Sequence, residues 1–280
     1  MERAISWFVA QQQPTGFWSD NTALQALPLL ALLSAGEVRH PAAERGLNEL
    51  LRRQDAEGAF ISGGAMMYGH AIATLTLAES LGMVGDEATV RAALERAVRL
   101  VVRAQAVGKG PFHEGGWRYQ PTSADSDLSV TVWQVLALRA AAEAGVAVPA
   151  SAMEQAVRYI RRCAHPQGGF GYQPGGLPGS ARTAAALVAL RLCGEEARVD
   201  WLERNPVRWE SPFYFAGAHH AAHLKVGFDA AELIARQNPD GSWPPSPNGE
   251  DARRGGPLYC TAMAVLALTA EWKFLPGLSW

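Results

Sequence analysis

Long apolar runs, basic clusters and paired cysteines are all missing from this sequence of 280 residues. A membrane-spanning helix needs about 18 to 20 consecutive apolar residues, and no such stretch occurs. The N-terminus reads as an amphipathic helix and not as a secretion signal. Cys163, Cys193 and Cys260 are far apart and form no CxxC motif. We therefore expect a soluble chain in a reducing, cytoplasmic compartment.

Excess charge is also missing, because the formal net charge is only -2 and the basic residues are dispersed along the chain. Proteins that bind nucleic acid need a basic patch to meet the phosphate backbone, so a nucleic-acid partner is not expected. Strand-like alternation of apolar and polar residues does not persist in any segment, which excludes a sheet protein. The hydrophobic content of 48% is enough to bury a large core, and one domain over residues 1–280 is expected.

One turn recurs along the chain in the form QxxxGxW or close to it. It occurs at 12–18, at 54–60 with phenylalanine in the last position, and at 237–243. Looser copies lie at Gly116-Trp117 and at 168–170. Turns repeated with this regularity are typical of a repeat architecture in which each unit packs on the next.

Each turn lies between an amphipathic helix and a more apolar, alanine-rich helix. The pattern predicts six such pairs, at 2–12 and 20–35, 41–54 and 64–81, 87–105 and 125–144, 150–163 and 179–193, 197–204 and 211–225, and 228–237 and 257–271. A helix that is apolar all round must be buried on all sides, so the apolar helices form an inner layer. The terminal helices are no more polar than the others, and this favours a closed ring. We expect an all-α (α/α)6 toroid.

With its repeated turns and six helix pairs, the chain resembles the prenyltransferase and squalene cyclase repeat family over essentially its whole length. The resemblance implies a central cavity lined by aromatic side chains that holds a hydrophobic isoprenoid. Aromatic residues near the starts of the inner helices, with one further along the third, are the candidates for contacting that ligand: Tyr68, Trp117, Tyr119, Trp133, Tyr172, Phe213, Tyr214, Phe215 and Tyr259. Peripheral contact with a membrane and a homodimer stay open as further associations.

Two acidic residues open the third inner helix, in the run Asp125-Ser126-Asp127-Leu128. In class II terpene cyclases this position carries Asp-x-Asp-Asp, whose middle aspartate protonates an alkene or epoxide, and here the third acidic residue is leucine. The resemblance implies Asp127 as general acid and Asp125 as its partner. A carboxyl group that protonates an alkene must be kept neutral, which burial and a second carboxylate nearby can arrange. An aspartate at a helix start is also a common N-cap.

The same segment resembles the zinc site of protein prenyltransferase β subunits. That family has Asp-x-Cys before a Trp-Gln pair and a histidine in a Tyr-His-Thr run, where this chain has serine at 129 and Cys260. His219 and His223 are four residues apart and project from one helix face, as a metal-binding pair does. A zinc ion held by residues among Asp127, Cys260, His219 and His223 is therefore one alternative, and Cys260 as a small buried apolar side chain is the other.

Three functions follow from these patterns. The first is a terpene cyclase-like enzyme that binds an isoprenoid in the central cavity and cyclises it by proton transfer. The second is a non-catalytic toroid that binds a ligand or a protein and has lost the complete acid and zinc motifs. The third is a zinc-dependent prenyltransferase-like enzyme, which differs from its family at two of three ligands.

Overall fold

The computed structural model describes residues 1–60, 66–272, 275 and 277, and this part of the chain holds twelve α-helices and no strand. The outer helices are α1 (Glu2–Gln11), α3 (Pro41–Arg52), α5 (Glu87–Gln105), α7 (Ala150–Arg162), α9 (Asp200–Arg204) and α11 (Ala230–Ala235). The inner helices are α2 (Thr22–Ser34), α4 (Met66–Ser80), α6 (Leu128–Glu143), α8 (Ser180–Leu192), α10 (Tyr214–Leu224) and α12 (Glu250–Leu268). The all-α prediction and the alternation of the two helix types are confirmed.

The predicted helix pairs match these bounds closely except at the last inner helix. Helix α12 begins at Glu250 and not at 257, because a short helical segment precedes a kink at Gly256, whose φ of 62° and ψ of -163° are not helical. Helices α9 and α11 are shorter than predicted. The beginning of the predicted segment 64–81 lies outside the described residues.

The inner helices form a closed ring in chain order. Each inner helix packs on the next, and α12 packs on both α10 and α2, which joins the last pair to the first. Almost every residue of the inner helices is buried, whereas the outer helices bury one face only. This arrangement confirms the toroid expected from the sequence.

Glutamine side chains fasten the first three helix pairs to the next outer helix. The Gln12 amide nitrogen donates to the carbonyl oxygen of Ala42 in α3 at 2.9 Å, and also to the carbonyl of its own turn glycine, Gly16. Gln54 makes the same two bonds to α5 and Gly58, and Gln105 makes them to α7 and its own turn. One side-chain amide therefore closes a turn and positions the following helix, which explains the glutamine of the repeat.

The turn glycines allow the backbones of successive pairs to approach closely. Gly241 has a φ of 95°, and a Cβ atom there would lie 2.2 Å from the carbonyl oxygen of Arg3 in α1. Arg3 also donates to the side-chain oxygen of Gln237 at 3.0 Å. These contacts join the last turn to the first helix, so the repeat that spaces the pairs also closes the ring.

Tryptophans in the turns cap the ends of the outer helices. The indole nitrogens of Trp18, Trp117 and Trp243 donate to carbonyl oxygens of α1, α5 and α11 at 2.8 to 2.9 Å. The Phe8 and Leu233 carbonyls also accept from the backbone N–H groups of Gln12 and Arg236, so the indole adds a second hydrogen bond there. The ring then covers the junction between the two layers.

Leu275 and Gly277 pack at the end of the ring where the inner helices finish. Leu275 is buried, and the backbone N–H of Gly277 donates to the buried carboxyl group of Glu79, near the end of α4, at 3.1 Å. A Cβ atom at residue 277 would collide with Ala140 of α6. Burial raises the pKa of Glu79 to about 8.

Within the described residues, no helix is both long enough and apolar enough to cross a membrane.

Replacing Gly241 with alanine is expected to destabilise the ring more than the same change at Gly194. Both glycines have positive φ, but no atom lies within 4 Å of a Cβ atom built at Gly194. Gly194→Ala should cost about 1–2 kcal/mol for the left-handed backbone alone. Gly241→Ala should cost at least about 1 kcal/mol more, because it also displaces α1. Urea unfolding of the two variants measures the difference, and equal losses would contradict a role of this turn in closing the ring.

Glu79→Gln is expected to stabilise the protein at mildly alkaline pH. The unfolded chain releases the Glu79 proton near its ordinary pKa of 4.5, whereas the folded chain keeps the proton up to about 8. The wild type therefore loses stability as the pH rises between these values. The variant should exceed it by on the order of a few kcal/mol at about pH 8, and the gap should close towards about pH 5. Thermal melting across this range checks the prediction, which a gap independent of pH would refute.

Candidate functional site

Four tyrosines meet at the mouth of the ring where the inner helices begin. Tyr68 lies in the first turn of α4, Tyr259 lies just after the kink of α12, and Tyr119 and Tyr172 lie in the loops that lead into α6 and α8. All four are half-buried, whereas the deeper turns of these helices are almost completely buried. We call these four residues the tyrosine mouth. Their partial exposure leaves aromatic surface open to solvent at this end of the ring.

Asp127 lies beneath the tyrosine mouth and is completely buried. It is the N-cap of α6, where its carboxylate accepts from the backbone N–H of Val130 at 2.9 Å and from the Ser129 hydroxyl at 2.8 Å. Arg118 donates to the other carboxylate oxygen at 3.0 Å. Three donors therefore surround this side chain. Asp127 is thus both an N-cap and a buried acidic residue, the two descriptions that the sequence left open.

Arg118 connects the acidic residues to the tyrosines. Its guanidinium group lies 3.1 Å from Asp125 and 2.6 Å from the hydroxyl of Tyr172. The guanidinium carbon also lies 4.3 Å from the centre of the Tyr119 ring and 5.5 Å from that of Tyr172. Burial alone lowers the pKa of Arg118, but the bond to Asp127 and the negative charges nearby raise it overall, so the group stays cationic.

Sequence reasoning missed Arg118, although a signal for it was present. The residue directly follows Trp117, whose indole is directed towards the outer layer. Trp117 and Asp127 pair through their backbones, as Asp127 donates its N–H to the Trp117 carbonyl at 2.9 Å. In extended backbone, successive side chains point to opposite sides, so a residue after a turn tryptophan faces the mouth.

The tyrosine hydroxyl groups form a protonated network beside the buried carboxylate. The hydroxyls of Tyr119 and Tyr172 lie 2.5 Å apart, and the rings of Tyr68 and Tyr119 stack with their centres 6.2 Å apart. Burial raises the pKa of Tyr68, and the charge of Asp127 raises it further. The pKa of Tyr172 rises for the same main cause, burial, and through its bond to Tyr119. The mouth therefore presents neutral hydroxyl groups and aromatic faces.

A second pair of carboxylate and hydroxyl groups lies across the ring at α12. The Tyr259 hydroxyl donates to Asp251 at 2.6 Å, and burial together with this carboxylate raises the pKa of Tyr259 well above its usual range. Asp251 was missed because it lies in a segment predicted to be a loop. The helical turn before Gly256 is what brings it towards Tyr259.

Besides Trp133, which lies deeper in the ring, three of the predicted aromatic residues do not line the tyrosine mouth. Trp117 is 1% exposed and belongs to a turn, as described above. Tyr214 is completely buried, with its ring centre 5.0 Å from that of Trp209, towards the outer layer. Phe213 is 40% exposed, with a left-handed φ of 59°. Phe215 contacts Tyr259 instead, since neighbouring helical residues point about 100° apart.

Trp133 lies deeper in the ring and contacts two histidines of α10. Its ring stacks on His219 with the centres 6.1 Å apart and an interplanar angle of 10°, and the ring of His220 lies 5.8 Å away. His223 lies one turn further along α10, with its ring centre 5.0 Å from that of His219. Sequence reasoning singled out these side chains but did not join them to Trp133.

The zinc alternative finds little support in this geometry. No group of three His, Cys, Asp or Glu side chains among the described residues is arranged to hold a metal ion. The Cys260 thiol is buried and donates to the Ala252 carbonyl at 3.7 Å. Burial raises the pKa of this thiol to about 12, so it is protonated in the metal-free protein. The residues at the expected positions therefore do not fit zinc.

Comparison with solved structures identifies an enzyme that shares the fold of this chain. The GH76A alpha-1,6-mannanase from Salegentibacter sp. HEL1_6 is 10% identical, with 98% of each chain covered and a TM-score of 0.68. The type II terpene cyclase MstE from Scytonema, in its apo form, is 18% identical over 98% of this chain and 97% of that one, with a TM-score of 0.41.

A variant of the same cyclase, MstE_D109N in complex with geranylgeranyl dihydroxybenzoate, is 18% identical over 98% of this chain and 80% of that one, with a TM-score of 0.44. No curated protein matches the sequence. The model of the prenyltransferase alpha-alpha toroid domain matches residues 2–211, which is most of the chain. The chain therefore belongs to the prenyltransferase alpha-alpha toroid domain family.

Proposed function

We propose that this protein binds a neutral, isoprenoid-like small molecule through the tyrosine mouth and does not cyclise it by proton transfer. The observation that carries the proposal is the set of contacts of Arg118, which holds both aspartates and both tyrosine rings of the neighbouring loops. Half-buried aromatic side chains around a closed apolar ring form the type of concave surface that hydrophobic ligands use.

The contacts of Asp127 argue against a role as proton donor. A general acid must hold its proton until the alkene arrives, but Asp127 accepts hydrogen bonds from Arg118, Ser129 and the α6 backbone. Both carboxylate oxygens are therefore already used as acceptors within the protein. Asp127 therefore serves the mouth as the anchor of Arg118 and as the cap of α6.

The position of Arg118 also argues against carbocation chemistry. Aromatic faces attract cations, and this attraction is how an aromatic cavity stabilises a carbocation. Here the guanidinium group already lies against the rings of Tyr119 and Tyr172. The rings nearest to Asp127 are thus occupied by a permanent cation of the protein itself.

The charges at the mouth favour a neutral ligand over a diphosphate. Two carboxylates, Asp125 and Asp127, compensate the charge of Arg118. The other two cations nearby, Lys109 and Arg182, donate to backbone carbonyl groups. Recognition of a diphosphate needs surplus positive charge and open donors in one place, and these residues do not supply them.

Class II cyclisation is the second candidate, and one observation favours it. Asp127 is completely buried beneath aromatic side chains, which is where a water-shielded acid has to lie. For this function Arg118 must leave the carboxylate when substrate binds. Asp127 then acts as the acid with Asp125 as its partner.

Binding and turnover can be separated with one panel of molecules. We expect the purified protein to bind squalene and oxidosqualene in native mass spectrometry, to bind farnesyl and geranylgeranyl diphosphates more weakly, and to convert none of them. Tyr68→Ala should weaken binding about tenfold, because it removes roughly 1.5–3 kcal/mol of aromatic contact. Phe112→Ala, at a side chain that is 67% exposed, is the matched control and should bind as the wild type does.

Gas chromatography of extracts from the same incubations decides between the two candidates. A cyclic product that Asp127→Asn abolishes would establish the cyclase. Absence of binding to every molecule of the panel, by protein shown to be folded, would overturn the proposed function.

The two aspartates are expected to differ in their effect on stability. Asp127→Asn should cost about 1–3 kcal/mol, since it weakens a charged bond to Arg118 and the helix cap. Asp125→Asn should cost less than about 1 kcal/mol, because that side chain is 43% exposed. Chemical unfolding measures both. An Asp127→Asn variant as stable as the wild type would contradict the anchoring role and would favour Asp127 as a general acid.

A further inference from the structure

Two buried histidines face the ring interior below the tyrosine mouth. His219 and His220 are 1% and 2% exposed, and their rings lie 4.9 Å apart. Both contact Trp133 of α6. Helix α8 packs between α6 and α10 in the ring, so a contact between α6 and α10 has to cross the interior. The two imidazoles therefore point towards the axis of the toroid.

Their depth follows from helix geometry. Trp133 lies six residues beyond Asp127 on α6, which places it roughly 9 Å further along the helix at 1.5 Å per residue. The histidines that contact Trp133 are therefore well below Arg118 and the tyrosines. A ligand that enters through the mouth would reach them with its leading end.

Not every ring nitrogen of these histidines has a well-formed hydrogen bond in the protein. The bond of His219 to the Leu266 backbone falls outside normal hydrogen-bond geometry, and Nδ1 of His220 has no partner. A buried polar atom without a partner costs about 1–3 kcal/mol. Buried His70 shows the contrast, because its Nδ1 accepts from the Phe60 N–H at 3.4 Å and its Nε2 lies 3.1 Å from the Ala97 carbonyl.

The protonation state of the histidines defines the group that they complement. Burial lowers the pKa of His220 to about 3 and that of His219 well below its usual value, so both rings are neutral near pH 7. A neutral imidazole has one N–H donor and one nitrogen acceptor. A hydroxyl group also donates and accepts, and it carries no charge into the apolar interior. A carboxylate or a phosphate would instead need a positive partner there.

A metal ion is a poorer occupant of this position. No set of three ligating side chains is arranged around a common point in the described part of the chain, and the histidines are adjacent on one helix. A neutral oxygen that accepts and donates hydrogen bonds satisfies these nitrogens with the geometry that exists.

We propose that His219 and His220, facing Trp133 across the ring, form a polar subsite that binds the hydroxyl group of an isoprenoid alcohol. This inference rests on the proposed function and makes it more specific. The tyrosine mouth contacts the apolar chain of the ligand, and the histidine subsite selects an alcohol over a hydrocarbon. The hydroxyl end enters first.

The test compares two probes that differ in one group: geranylgeraniol and the hydrocarbon of the same skeleton without the hydroxyl. The wild type should bind the alcohol at least about tenfold more tightly in native mass spectrometry or in competition for a bound fluorescent lipid. His219→Leu and His220→Leu should bind the two probes equally. His219→Gln, which keeps a donor and an acceptor, should retain part of the preference, and His165→Leu, outside the ring, should retain all of it.

Thermal melting supplies a second readout. His219→Leu should melt at or above the wild-type Tm, because the imidazole that it removes loses only a poorly aligned bond to the Leu266 backbone. A marked fall in Tm would show that the ring is structural and would overturn the subsite. Equal binding of the two probes by the wild type would overturn the subsite and leave the proposed function standing. Binding of neither probe would overturn both.

Discussion

The hydrogen bonds of the turn glutamines are the constraint on which the rest of this toroid depends. Apolar packing between helices is not directional, so packing alone does not fix the number of helix pairs at six. The amide of Gln12, Gln54 or Gln105 holds its own turn and the next outer helix at once, and so sets the angle between pairs. The ring closes when that angle brings Gln237 onto Arg3 of the first helix.

The site at the mouth is a consequence of the same turns. Trp117 fills the tryptophan position of its turn, and its backbone pairs with Asp127, so the turn itself places Arg118 beside the carboxylate. The loops before α6 and α8 then bring Tyr119 and Tyr172 to the guanidinium from either side. The repeated turn therefore also positions this polar cluster, and no additional helix or strand is needed for it.

The sequence was enough for the fold because the repeat and the helix periods are local patterns. It was not enough for the direction of single side chains. Phe213, Tyr214 and Phe215 all looked suitable for the mouth, and only the register of α10 decides that Phe215 contacts Tyr259. Arg118 pairs with Asp125 and Asp127 nearby in the chain, but its bond to Tyr172 spans 54 residues, and no local pattern assigns a contact of that kind.

Buried polar groups are hydrogen-bonded at the mouth of the ring, whereas some of those deeper inside are not. At the mouth, Asp127 and Arg118 are paired and surrounded by donors and acceptors, which makes the entrance rigid. Deeper inside, His219 and His220 keep ring nitrogens without well-formed hydrogen bonds, a cost in stability that leucine would avoid. A protein retains such a cost where a ligand offsets it, since binding supplies the missing hydrogen bonds. His219 and His220 are therefore the buried residues that we associate with ligand recognition.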